Sequence, residues 1–251
     1  MIVRTIAILG ATGNLGRHVA DQAIARGWSL AVAVRNRSRL AFEVAQQAQI
    51  TDLDLDQATA SEIAAFAAER DVLVCCAGNV VQGDDFVKMF DKVVSAVESL
   101  SSERRPICWF LAGAAVLTLD AGGRRGIDLP KVRDVYWPHK KNFERLQRSD
   151  IDWRLLCPGP MVHQPMVGTE HLRITLDDLP APLPAFASAL PGALVLLMFG
   201  IKIPQMIIAY GDAAAVILAN SQRSDPCARH RLGIALPVGM RGQKGQWSAR
   251  P

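Results

Sequence analysis

Short apolar runs rich in β-branched residues alternate with longer stretches whose apolar residues recur every three or four positions, and this alternation organises the first half of the chain. The runs predict strands over Val3–Leu9, Leu30–Val34, Asp71–Cys76 and Ile107–Leu111. Helices are predicted between them, over Leu15–Arg26, Leu40–Ala48, Ser61–Ala68 and Phe86–Leu100; in the last, Phe86, Phe90, Val93, Val94 and Val97 share one face. A weaker strand is predicted over Ile50–Leu55, where Asp52, Asp54 and Asp56 alternate with Leu53 and Leu55. One of its sides meets water, which puts it near a sheet edge. Strands and helices that alternate in this way fold as a parallel sheet joined by right-handed crossovers, an α/β architecture.

Past Gly113 the rhythm weakens. Asp120–Pro130 is glycine-rich and basic and reads as a loop, followed by a helix over His139–Arg148 and a strand over Trp153–Cys157 that Pro158, Gly159 and Pro160 stop. From Pro180 to Pro204 the chain is apolar but punctuated by proline, and its longest unbroken apolar stretch is Ala193–Ile201. That is well short of the roughly 20 residues a bilayer-spanning helix needs. The 180–210 segment is therefore expected to form a small lobe that faces an acceptor or a second copy of the chain, without a transmembrane span. A helix over Gly211–Asn220 and a strand over Leu232–Leu236 follow, and the basic end, 241–251, is expected to be mobile.

With 251 residues, half of them apolar, the chain is long enough for one large domain or a domain with a small lobe. A net charge of +4 and an aromatic content of 6% are too modest for a nucleic-acid partner surface. Five cysteines and a strand-like run directly after Met1, with no leader pattern, point to a reducing, cytoplasmic compartment. No Cys-x-x-Cys pair and no helical pairing among His18, His139, His163, His171 and His230 recommends a metal site.

Gly10-Ala11-Thr12-Gly13-Asn14-Leu15-Gly16 follows one predicted strand and opens a helix, the context a dinucleotide-binding loop requires. Gly10 serves the tight turn, Gly13 lets backbone approach a pyrophosphate, and Gly16 allows the helix to pack closely on the strand. Free amides at the helix start, from Thr12 to Leu15, face the anion. After strand two an acidic residue would grip the ribose hydroxyls of NAD, but this chain has Arg35-Asn36-Arg37 and then Arg39. Guanidinium groups there suit the 2'-phosphate of NADP, so NADP(H) is expected over NAD(H), with Arg35 the foremost contact and Arg17 a helper.

These residues carry a resemblance. The glycine loop with Arg17, Ala33-Val34-Arg35-Asn36, Cys76-Ala77-Gly78 and Asp152-Trp153-Arg154-Leu155-Leu156-Cys157-Pro158-Gly159-Pro160-Met161 resemble the atypical short-chain dehydrogenase/reductase superfamily, in its NmrA-like, NAD(P)H-binding branch. The resemblance covers the first 165 residues and returns at Tyr210-Gly211-Asp212-Ala213-Ala214. It implies a Rossmann-type doubly wound parallel sheet, with an NADP-binding domain over 1–165, a small C-terminal substrate lobe with late sheet elements over 166–240, and a tail over 241–251. It also implies that Asp54 and Leu55 approach the adenine, that Ala77 and Gly78 line the middle of the cofactor, and that Pro158 and Gly159 flank the nicotinamide.

In such enzymes a tyrosine, with a lysine four residues on and a serine nearby, handles the substrate proton. Tyr136 and Lys140 have that spacing, but Pro138 disfavours helix at Trp137, so Tyr136 is expected to precede the helix. The end of strand five reads Leu111-Ala112-Gly113-Ala114-Ala115, with no hydroxyl. Lys140 is then a contact to the cofactor ribose or to substrate. His139 and His163 are further acid candidates, and Cys75 and Cys76 read as small buried residues pointing to opposite faces. The resulting expectation is an NADPH-dependent reductase passing hydride to an apolar or aromatic small molecule, a flavin, quinone or enone, with the 183–208 segment as pocket. A non-catalytic NAD(P)-binding regulator or assembly factor is the alternative. A sugar-nucleotide epimerase or dehydratase needs a fuller triad and a longer second domain.

Overall fold

A computed structural model describes residues 4–243, and within it the first half folds as its periodicity predicts. In chain order the elements are β1 (Thr5–Leu9), α1 (Asn14–Ala25), β2 (Ser29–Val34), α2 (Phe42–Gln47), β3 (Gln49–Asp52), α3 (Ala60–Ala67), β4 (Val72–Cys75), α4 (Asp84–Glu98) and β5 (Ile107–Leu111). The second half adds α5 (Val132–Gln147), β6 (Trp153–Cys157), β7 (Met161–Val162), β8 (Arg173–Leu176), α6 (Gly192–Lys202), β9 (Ile208–Ala209), α7 (Tyr210–Ala219) and β10 (Arg231–Ala235). The expected mobility of the tail falls, beyond residue 243, outside the described residues.

Eight strands make one sheet in the order β3-β2-β1-β4-β5-β6-β10-β8, parallel except for β8, which runs antiparallel to β10. This is the Rossmann-type doubly wound arrangement. The central strands are apolar on both sides because helices cover both faces. On one face α1 and α7 bury Val19, Ala20, Ala23, Ala213 and Ile217 against Ile6, Ile8 and Val74. On the other, α3, α4, α5 and α6 bury Ile63, Phe90, Val94, Phe143, Val195 and Phe199 against Ala7, Leu73 and Phe110. β3 takes the open edge, but the strand predicted over Ile50–Leu55 ends at Asp52, because Asp54 accepts from the amide of Asp56 and turns the chain away.

The main departure is α5. It begins at Val132, so Pro138 lies inside the helix and Tyr136 does not precede it. Proline removes the donor that the carbonyl of Asp134 would meet, a local cost. Packing outweighs it: Pro138 is itself buried on the face that Asn142, Phe143 and Leu146 continue, a three-to-four-residue repeat with proline as one of its apolar members.

Beyond β6 the chain threads back into the sheet. Arg154, fully buried at its centre, holds the loop after α7: its guanidinium donates to Asp152, to Asp225 and to the carbonyls of Asn220 and Gln222. Two short strands, β7 and β9, pair in parallel beside the main sheet, Met161 opposite Ile208 and Val162 opposite Ala209. Asp212, fully buried in the first turn of α7, accepts from the backbone amides of Val167 and Gly168 at 3.0–3.1 Å. Gln22 of α1 donates to the carbonyl of Gly211 at 2.8 Å. The start of α7, the loop after β7 and helix α1 are thereby fixed to one another.

Candidate functional site

The loop between β1 and α1 is built by close backbone approach. Gly10 sits at φ +83°, and a Cβ there would lie 2.9 Å from the amide nitrogen of Ala77. A Cβ at Gly16 would lie 2.2 Å from the carbonyl oxygen of Gly10, so only glycine lets the first turn of α1 rest on the loop. At Gly13 the nearest atom to such a Cβ is the Gly10 oxygen at 3.3 Å. The protein itself therefore asks less of this glycine than of the other two. Gly13 and Asn14 are exposed at the start of α1, while Leu15 and Gly16 are buried and offer only backbone. Helix α1 has no side-chain cap and no acidic residue in its first turn, which leaves its amides and the positive end of its dipole facing solvent.

A cavity of about 280 Å³ runs from this loop along the strand ends. Gly10, Thr12 and Gly13 form one wall; Arg35 and Arg39, after β2, and Asp54 and Leu55, after β3, form the far end; Cys76, Ala77 and Gly78 close the middle. Gly78 is at φ +93°, tight against Phe86 and Met89, which make the cavity's apolar floor.

Charge at the far end is arranged unevenly. Arg37 donates twice to Asp52, and this hydrogen-bonded pairing holds the Asp52 carboxyl below the usual range. Arg35 keeps its guanidinium largely exposed, with Asp56 3.6 Å away. Asp54 turns its carboxylate onto the amide of Asp56 at 3.1 Å, and Lys92 of α4 donates to the carbonyls of Leu55 and Ala58 at 2.9 Å, fixing that turn.

The remaining predicted residues stand further along the strand ends, toward β5 and β6. Helix α5 carries Tyr136 and Lys140 one turn apart, so the spacing of four does align them. The Tyr136 ring comes within 4.0 Å of where a Cβ on Gly113 would be, at the end of β5. Lys140 Nζ lies 3.4 Å from Asp128, whose carboxylate Arg125 also grips; against the effect of burial, these cations hold it below its ordinary range. His139 faces inward, its ring edge-on to Phe86, and burial lowers its pKa to about 4. Pro158 gives its carbonyl to the amide of Ala114 at 2.7 Å, and Gly159 is required by contact with Met206, where a Cβ would lie 2.5 Å from the carbonyl oxygen.

Burial pushes the Cys75 thiol up to about 11 and the Cys76 thiol higher still, which keeps both away from the thiolate form. Among the described residues no group of three or more His, Cys, Asp or Glu side chains is arranged to hold a metal ion. No helix there is long and apolar enough to cross a membrane. That Arg37 is occupied by Asp52 is not legible along the chain, because the pairing depends on the register of β2 with β3, Val34 opposite Asp52.

A family model described as NAD(P)H-binding matches residues 10–180. Solved structures share the fold across nearly the whole chain. A short-chain dehydrogenase/reductase of wide type from Veillonella parvula, in complex with NADP, is 13% identical, covers 100% of this chain and 99% of its own, and superposes with a TM-score of 0.64. A candidate NADH-flavin reductase from Streptococcus pneumoniae is 15% identical over 93% and 99% of the two chains, with a TM-score of 0.65. A Rossmann-fold NAD(P)-binding family protein from Shigella flexneri is 16% identical over 97% and 98%, with a TM-score of 0.64.

Proposed function

The chain belongs to the NAD(P)H-binding family, and on that footing we propose that it is an atypical short-chain dehydrogenase/reductase, an NADPH-dependent reductase of a flavin, quinone or enone. The observation that carries this reading is the pairing of an uncapped α1 start with an exposed Arg35 at the two ends of one cavity. The residues fit the group. Amides of Thr12, Asn14 and Leu15 would receive the pyrophosphate, that of Gly13 being turned onto the Gly10 carbonyl at 3.0 Å; Ala77 and Gly78 would pass along the middle of the cofactor, and Asp54 and Leu55 would flank the adenine. Arg35 and Arg39 line the far end of the cavity and would meet a ribose phosphate there; the residue after β2 is an arginine, not a carboxylate, although Asp54 and Asp56 line the same end.

NADPH, when bound, supplies the hydride and both electrons. The chain's task is then to hold the dinucleotide across the strand ends, seat the acceptor and exclude water. Lys140 and Tyr136 would flank the nicotinamide end from α5, and Pro158 and Gly159 from the end of β6. An acceptor of this class needs few polar anchors, in keeping with the apolar floor of Phe86 and Met89 and the apolar 183–208 segment.

The test is oxidation of NADPH, followed by its absorbance, with menadione, FMN and 2-cyclohexenone. Turnover with at least one supports the reading. Tight NADPH binding with none of them turned over favours a binding protein without catalysis, for which Lys140's engagement with Asp128 and the absence of a hydroxyl from 112–115 speak.

A further inference from the structure

Helix α6 is apolar all round: of its eleven residues, Gly192–Lys202, only Lys202 is charged, and no other charge occurs between Asp178 and that lysine. Such a helix is ordinarily covered on every side. Here only one side is. Val195 and Phe199 are buried against the core, while Ala193, Leu194, Leu197, Gly200 and Ile201 are exposed, Leu197 by 63% and Ile201 by 57%. At 3.6 residues per turn those five positions fall within an arc of about 120°, centred on Leu197 and opposite the buried pair. Among the described residues nothing covers them.

Gly200 adds an independent observation. A glycine in a helix interior lowers stability relative to alanine, and a Cβ at Gly200 would meet nothing within 4 Å. The chain's own packing gives no reason for this glycine, whereas close approach of another backbone from outside does. The order of side-chain sizes identifies that backbone. Three residues before Leu197 stands Leu194 and three after it Gly200; four before it stands Ala193 and four after it Ile201. Laid antiparallel on a second copy of itself, with a two-fold axis at Leu197, the helix sets Leu194 against Gly200 and Ile201 against Ala193. Each large side chain then faces a small residue, and the symmetry repeats the match on the other side of the axis.

We propose that this face of α6 is a homodimer interface, in which α6 packs antiparallel on α6 of a second copy about a two-fold axis at Leu197. The proposal goes beyond the reductase reading and does not rest on it. A seam without charge suits a second copy, because any charge at the axis of a two-fold contact would meet its like. A lipid surface suits it less. Helices that lie on membranes carry a rim of Lys and Arg around a broad apolar face, and Ala193 and Gly200 offer lipid almost no side chain. Residues 244–251 include Lys244, Arg250 and one large apolar side chain, Trp247, too little to answer Leu194, Leu197 and Ile201. An eleven-residue helix is about 16 Å long, and a seam of that length covers less than the ~800 Å² per partner of a standard interface. The dimer should therefore dissociate in the micromolar range.

Sedimentation equilibrium of the full chain, from about 1 to about 300 µM, reads the proposal directly. The mass should rise from that of one chain toward that of two, with a Kd of about 1–100 µM. Leu197→Glu sets two carboxylates face to face at the axis and should stay monomeric at every concentration. Gly200→Leu is the sharper variant. Its side chain has open space in the single chain and replaces glycine by a good helix former, so thermal melting at the lowest concentration should show no loss of Tm. The dimer Kd should nevertheless rise at least about tenfold, because the new side chain meets Leu194 of the second copy. A single-chain mass throughout overturns the proposal, and so does a dimer that either variant leaves intact. In the first case, flotation with phosphatidylcholine–phosphatidylglycerol vesicles, or dimerisation on removal of 244–251, identifies the lipid surface or the chain's own end as the occupant instead. Oxidation of NADPH by the monomeric Leu197→Glu variant decides the reductase reading separately.

Discussion

Arg37 is locked onto Asp52 in a two-point contact, Nε to Oδ1 at 2.6 Å and Nη2 to Oδ2 at 2.7 Å, while Arg35, two residues earlier, has its carboxylate contact with Asp56 at 3.6 Å. Two arginines that look equivalent in the sequence are thus set apart by the register of an edge strand. One is already paired. The other keeps an exposed guanidinium beside a longer carboxylate contact.

From this follows an order of effects on cofactor choice. The protein should bind NADPH more tightly than NADH by about tenfold to a hundredfold, the scale of a charge-assisted contact to phosphate. Arg35→Ala should erase most of that gap with NADH binding nearly unchanged, and Arg37→Ala should reduce NADPH binding much less. Calorimetric titration of both cofactors against the parent and the two variants measures all of this. Equal affinities in the parent would show that Arg35 does not read the phosphate.

Gly16→Ala tests the loop from the side of stability. The added Cβ would fall 2.2 Å from the Gly10 oxygen, a backbone atom that has no rotamer by which to yield. The variant should lose about 1–3 kcal/mol, as overpacked sites do, and NADPH affinity with it, because the displaced loop is the one proposed to receive the pyrophosphate. Gly27→Ala is the comparison. A Cβ there meets nothing within 4 Å, and the strain comes only from its φ of +70°. Thermal melting of both variants gives the two costs separately.

Buried histidine gives a pH signature. His139 is held neutral by burial, with a pKa of about 4 in the folded protein against 6.5 ordinarily. The unfolded chain takes up this proton first as pH falls, so the contribution is complete above about pH 6.5 and is lost progressively down to about pH 4, by up to about 3 kcal/mol. His18 acts in the same direction. Urea denaturation across that range should show stability falling with acidity, and His139→Phe, whose ring suits the site beside Phe86, should flatten the fall.

At Arg154 the expectation is loss without repair. Its guanidinium is fully buried among Asp152, Asp225 and two carbonyls, so Arg154→Met leaves buried acceptors and carboxylates unpaired. A cost of about 3–5 kcal/mol is expected, measured by denaturant titration, with Arg154→Lys recovering only part because an ammonium cannot span the same partners.

Much of this architecture was legible in the chain. Ile107–Leu111 and Trp153–Cys157 are strands with the ends their composition predicts, and the glycine loop announced itself through its flanks. What stayed hidden depended on partners distant in sequence. Two-residue strands such as β7 and β9 are too short to show a period, so the approach of His163 to Tyr210, ring centroids 4.8 Å apart, could not be read. β8 leaves Ile174 and Leu176 more than a third exposed, against the usual sense of alternation. The start of α5 was misplaced because a rule about proline, sound for an isolated peptide, yielded to the burial of Pro138 itself.

The position of β10 has a consequence for synthesis. It pairs with β6 on one side, Leu232 opposite Leu156, and with β8 on the other, Leu232 opposite Leu176. While the chain emerges from a ribosome, β6 therefore carries a raw apolar edge until residues beyond 230 are free, and β8 has no neighbour at all. An unpaired edge of this kind invites other chains. A nascent chain stalled before Arg231 should be a client for chaperones, and a gene truncated there should yield inclusion bodies even with every residue of the cofactor cavity present.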